Sequence, residues 1–176
     1  MENVKRFFPI VWYYVGWFGC IYLGKFELSP WSFVFPLFLT GLLFYWKKIE
    51  VKLLGLLLAM AFLGVIFDSF MAIKGYVVFA QPESFFIPQW LLAIWWLFIL
   101  LIPVMVSVFF QRLWLAALLG AIFGPLSYAS GAAMQVLYLQ GSEATGFYAA
   151  FWGLYFPVVI FVAGRFFPAL VSTKND

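Results

Sequence analysis

Asp68 is the residue best placed to do chemistry in this chain, because it is the only carboxylate lodged within a long apolar run, Leu53 to Ile73. An ionisable group at that depth costs about 3 kcal/mol on insertion scales, so its presence there asks for a role. Two roles stay open. Asp68 is either a protonated clamp that ties helices together through Tyr128, Ser130 or Gln135, or a group that anchors a ligand, carries a proton or gates. Ala61, Gly64 and Asp68 recur at spacings of three and four, which sets them on one helix face and points Asp68 into a bundle rather than at lipid.

Other chemistry is narrowed by what the chain lacks. It has no histidine, which removes Ser-His and Cys-His pairs and histidine-based metal sites. No carboxylates pair at helical spacing, no Gly-rich phosphate loop precedes a lysine, and Ser127 and Ser130 have no base on their own stripe. No catalytic residue, metal ligand or cofactor site is assigned, and an enzyme would have to work with Asp68 and Tyr128 alone. Cys20 is the single cysteine, so an intramolecular disulfide is impossible. It reads as a small buried hydrophobe.

The elements that position these residues follow from composition. The chain is 66% hydrophobic, 24% aromatic and only 10% charged, with a mean hydropathy of +1.05, far outside soluble averages. A hydrocarbon core about 30 Å thick needs about 20 apolar residues per helix. Six such runs are present: Phe7 to Gly24, Leu28 to Trp46, Leu53 to Ile73, Pro88 to Phe110, Leu113 to Leu139 and Gly146 to Phe167. The expected fold is an all-α polytopic bundle of about six transmembrane helices, in one integral membrane domain spanning residues 1–176. Pro9, the aromatics Trp12, Tyr13, Tyr14 and Trp17, and the want of a small-residue cleavage site before Lys25 make the first run an anchor and not a signal peptide.

Basic residues set the expected orientation. With a cytoplasmic N-terminus, Lys5, Arg6, Lys47, Lys48, Lys52, Arg112, Arg165 and Lys174 fall inside, and only Lys25 and Lys74 fall outside. The pI near 9.0 is then a matter of topology, and no nucleic-acid partner is expected. The longest loop, Lys74 to Ile87, is rich in aromatics at Tyr76 to Phe79 and at Phe85 and Phe86. It is expected at the headgroup level, or dipping back over the bundle as a lid.

In the fifth run Gly120, Gly124, Ser127, Gly131 and Gln135 recur every three or four positions as one small or polar stripe. Such stripes let helices approach closely in lipid. Pro125 frees the carbonyl of Ala121 and predicts a kink beside Tyr128. Gly64, Gly120, Gly124, Pro125 and Gly131 therefore form the packing and kink set. Counted from the outer ends of their runs, Asp68, Trp95, Gln135 and Trp152 share the outer third, and with Tyr128 and Ser130 they form the candidate ligand-binding set.

Pro88-Gln-Trp90-Leu-Leu-Ala-Ile-Trp95-Trp-Leu-Phe98 and Gly124-Pro125-Leu-Ser-Tyr128-Ala-Ser-Gly131 resemble an uncharacterised family of short bacterial inner-membrane proteins, a domain-of-unknown-function group. The resemblance covers most of the chain, and the family's aspartate in the third helix corresponds to Asp68. It implies a multi-helix bacterial inner-membrane fold with no assigned activity, in a family whose members lie near fatty-acyl-modifying enzymes. The leading functional expectation is a non-catalytic protein that binds or moves a membrane lipid or other hydrophobic small molecule through an outward-facing aromatic cavity. The alternatives are a small-solute transporter or substrate-binding subunit, and a structural partner of a membrane-bound lipid-modifying enzyme.

Overall fold

The structure, a computed structural model, describes residues 2–80 and 87–172. Its helices are α1 (Glu2–Lys25), α2 (Val34–Tyr45), α3 (Val51–Ile73), α4 (Gln89–Phe109), α5 (Leu113–Ala133), α6 (Ser142–Phe166) and the short α7 (Ala169–Ser172). Among the described residues, five helices are long and apolar enough to cross a membrane. The expected span Leu28 to Trp46 departs from the other five. Pro30 stands in its first turn, which starts as a 3₁₀ segment, Ser29–Phe33, before the α-helix takes over at Val34. Proline supplies the preset φ for such a start and lacks the N–H that a preceding turn would need. Even so, this short helix runs antiparallel to α1: Phe35 lies against Gly19 near one end, and the ring of Trp46 reaches that of Phe8 at 5.6 Å near the other.

Helix ends correct two of the expected boundaries. α5 stops at Ala133 and not at Leu139, because Gln135 takes a left-handed φ of 64° and closes the helix. The Gln135 N–H donates to the Ala132 carbonyl at 2.9 Å and the Val136 N–H to the Gly131 carbonyl at 3.2 Å, the paired bonds of a Schellman cap. α3 closes in the same way, with Gly75 at φ 75° and the Tyr76 N–H bonded to the Met71 carbonyl at 2.9 Å. At its other end α6 begins at Ser142, four residues before the expected start.

Each of these two caps leads into a short strand. β1 (Val77–Phe79) and β2 (Leu137–Leu139) pair antiparallel, with Val78 opposite Tyr138. Alternation turns Val77 and Leu137 down into the core and leaves Val78 and Tyr138 exposed. The described part of the long loop therefore does fold back onto the bundle end. Its Phe85 and Phe86 lie outside the described residues.

α4 is the central helix. It packs on α1, α2, α3, α6 and α7, and buried residues recur all round it, from Trp90 through Ala93, Leu97 and Ile99 to Val106. A helix apolar on every side is one buried by neighbours. α5 and α6 form the tightest pair, whereas α1 and α5 make no substantial contact with each other. The gap between them has α4 as its floor.

Candidate functional site

The Ala61–Gly64–Asp68 face of the third run is the one that meets the core: Ala61, Gly64, Asp68 and Met71 are all buried along α3. Gly64 is small for a reason visible in space, since a Cβ there would overlap the ring of Trp95 from α4. That close approach carries the indole N–H one helical turn further, where Trp95 Nε1 donates to Asp68 Oδ2 at 2.7 Å. From α5, Tyr128 Oη donates to Asp68 Oδ1 at 2.7 Å. A third donor arrives from α6, Tyr148 Oη, at 3.2 Å from the same oxygen. Asp68 is fully buried, and its three partners come from three different helices. The two oxygens of a carboxyl group offer about four lone-pair sites, room for three donors at once.

Aromatic packing fixes these donors in place. The rings of Tyr128 and Tyr148 stack at 3.6 Å, and Phe67, beside Asp68 on α3, meets Tyr148 edge-on and stacks on Phe151 at 3.9 Å. Trp95 stacks on Trp152 at 5.2 Å with planes 3° apart. Trp152 itself fills the space left by two glycines of α5: a Cβ at Gly124 would strike its ring, and one at Gly120 its backbone carbonyl. Tyr155 completes the brace by donating to the Met60 carbonyl of α3 at 2.9 Å.

A cavity of about 340 Å³ lies along the gap between α1 and α5. Its floor follows one face of α4 from Trp90 to Phe109, a rise of about 28 Å at 1.5 Å per residue, close to the hydrocarbon thickness of a bilayer. Tyr13, Tyr14 and Trp17 line it from α1, and Gly120, Phe123, Ser127 and Tyr128 from α5. Asp68 does not line the cavity. Trp95 and Tyr128, two of its three donors, stand between them.

Of the candidate residues, Asp68, Trp95, Tyr128 and Trp152 come together here, with Gly64, Gly120 and Gly124 making room for them. Pro125 is buried on the same side of α5, and Gly131 packs against Leu137 of β2 at 3.1 Å from where its Cβ would be. Two residues are elsewhere. Ser130 donates to the Leu126 carbonyl of its own helix at 2.8 Å, and Gln135 is an exposed capping residue beyond the end of α5. Neither touches Asp68. Tyr148 is the partner that the sequence does not mark out, for it sits in an aromatic-rich helix where no spacing distinguishes it from its neighbours.

The family model described as "Protein of unknown function (DUF2878)" matches residues 7–158, most of the chain. The chain belongs to the DUF2878 family. The matched segment contains Asp68 and every partner of its carboxylate, together with the whole floor of the groove. No curated protein and no solved structure matches it.

Proposed function

We propose that this DUF2878 member is a six-crossing protein of the bacterial inner membrane, with both termini cytoplasmic, that holds a lipid or other long hydrophobic molecule in the groove between α1 and α5. The observation that carries this reading is the groove itself. It is apolar and aromatic, it lies between two helices that do not close on each other, and its floor runs nearly the depth of a bilayer. Ligand sites are concave and mostly apolar with few fixed polar groups. Here the polar groups of the lining are hydroxyls and indole N–H groups, those of Tyr13, Tyr14 and Trp17 on α1 facing Ser127 and Tyr128 on α5.

The Asp68 cluster supplies the stiff wall of that site. Its carboxylate joins α3, α4, α5 and α6 at one point, and all its partners are neutral. Six crossings are supported by the return of α2 to the level of Phe8 and by the eight-to-two division of Lys and Arg between alternate loops. Native mass spectrometry of the protein released from detergent tests the reading. A retained long-chain lipid is the expected result, with its loss when Leu119 on the groove wall is replaced by Trp. A protein that carries no lipid and takes up none from added vesicles would reject it.

A further inference from the structure

The groove has an open flank and a closed end. Tyr14 of α1 and Phe123 of α5 both line it, and both are more than half exposed, at 58% and 62%. Behind them Trp17 and Ser127 are half-buried, and Trp95 and Leu101 on the floor are buried. Cover grows inward from Tyr14 and Phe123, which are therefore the lips of an opening along the side of the bundle. Phe123 is the central residue of its span, Leu113–Ala133, and Tyr14 stands near the middle of α1. With a hydrocarbon core about 30 Å thick around the bundle, the lips lie about 15 Å from water on either side. The surface flanking them, Val11 and Phe18 on α1 and Ile122 and Leu126 on α5, is exposed and apolar.

Toward the two strands the groove is shut. Its last residues there, Trp90 and Leu137, are both buried. The Trp90 ring fills the space where a Cβ at Gly24 of α1 would stand, and Phe79 of β1 meets it edge-on at 6.2 Å. Leu137 of β2 fills the corner at Gly131. β1 and β2 thus roof the groove against the water beyond the bundle end.

We propose that the groove loads through its flank, taking the acyl chain of a lipid directly from the surrounding bilayer, while the paired strands keep its end closed to molecules arriving from water. This rests on the groove being a lipid site. A flank at mid-depth meets hydrocarbon, so a chain slides in from between Val11, Phe18, Ile122 and Leu126 without leaving an apolar medium. A polar solute would have to shed its water to reach the same opening, at a cost that the apolar lining does not return.

The test straps one opening at a time. In a Cys20→Ala background, Tyr14→Cys with Phe123→Cys puts a thiol on each lip, and Val78→Cys with Tyr138→Cys puts one on each strand at opposed, exposed positions. Each pair is bridged with a bismaleimide in full-length protein reconstituted into dioleoylphosphatidylcholine vesicles, and a photoreactive phosphatidylcholine is then introduced by vesicle fusion. Mass spectrometry after illumination reads the label on Ile94 and Phe98 of the groove floor and, as a reference for contact with the bilayer, on exposed Phe62 of α3. Each bridged protein is compared with its own unbridged form, so the substitutions themselves cancel. Bridging the lips should abolish the floor label and keep that on Phe62; bridging the strands should leave both unchanged. Floor label lost on strand bridging, or retained on lip bridging, would overturn entry by the flank while leaving the groove a lipid site. Dimers as the main product of the bismaleimide with Phe123→Cys alone would overturn it too, because a second copy would then cover the flank. Label on Phe62 but none on the floor of the unsubstituted protein would instead remove the groove reading on which the proposal rests.

Discussion

The ring of Trp95 occupies the space that any side chain at position 64 would need, and Gly64 is thereby the reason that Trp95 reaches Asp68. Gly64→Ala is expected to push the indole off α3, break its bond to Asp68 Oδ2 and destabilise the fold by about 1–3 kcal/mol, the usual cost of overpacking. Gly124→Ala should behave alike through Trp152. Gly146, which has open space around its Cβ position, is the control that should tolerate alanine. Thermal unfolding of the four proteins in one detergent gives the ranking, and a Gly64 variant as stable as the Gly146 control would break the link.

Asp68→Asn replaces a group whose two oxygens both accept hydrogen bonds by one that is half donor. The carbonyl oxygen can still take the Trp95 N–H, but the amide then faces two tyrosine hydroxyls whose hydrogens pointed at the carboxylate. Stability should fall by about 1–3 kcal/mol, the cost of buried groups left unpaired. Trp95→Phe, which removes a single donor and keeps an aromatic ring, should cost less. An Asn variant with an unchanged unfolding temperature would mean that the tyrosines are not held by Asp68.

The face that carries Asp68 is legible in the amino-acid sequence, because a spacing of three and four needs only the helical period, and Tyr128 lies on the matching face of α5. Gln135 is misplaced by the same period for a physical reason. The repeat continues two residues past the end of the helix, where the backbone turns left-handed, and a glutamine gives no warning of that turn, whereas Gly75 in the equivalent cap of α3 does. Tyr148 is hidden because Tyr148, Phe151, Trp152 and Tyr155 crowd one helix, and choosing among them takes the three-dimensional neighbours. The strands β1 and β2 are three residues each, and the paired Val78 and Tyr138 stand 60 positions apart, too short and too distant for local pattern to reveal.

Replacing Gln135 by glycine tests that cap. A non-glycine residue in the left-handed region carries a cost of about 1–2 kcal/mol, part of which glycine returns as chain entropy in the unfolded state. Gln135→Gly should therefore be more stable by about 0.5–1 kcal/mol, with lipid retention unchanged. Lost lipid with unchanged stability would make Gln135 a ligand contact after all.

Reporter fusions check the membrane arrangement. Fusions after Trp46 and after Arg165 should report the cytoplasm and one after Glu143 the far side, since Lys47, Lys48, Lys52, Arg112 and Arg165 all lie on the retained side of the proposed topology. A far-side signal after Trp46 would mean that the short helix α2 does not cross, and that the remaining helices run opposite to the proposed direction.

The two strands join the loop after α3 to the turn between α5 and α6, so the helices that carry Asp68, Tyr128 and Tyr148 are clamped to one another twice, once by the carboxylate and once at the bundle end. α1 has no share in either clamp. It rests on α4 through Gly16 and Gly24, where Leu97 and Trp90 fit against bare backbone. The groove is thus bounded by one edge tied through the carboxylate and the strands, and by another held by close packing on α4 and by the Trp12 N–H bond to the Phe35 carbonyl of α2 at 3.0 Å. A guest too wide for it would have to part α1 from α5 with α2 carried along and Asp68 left in place, which spin labels on α1 and α5 would register as a widening on loading.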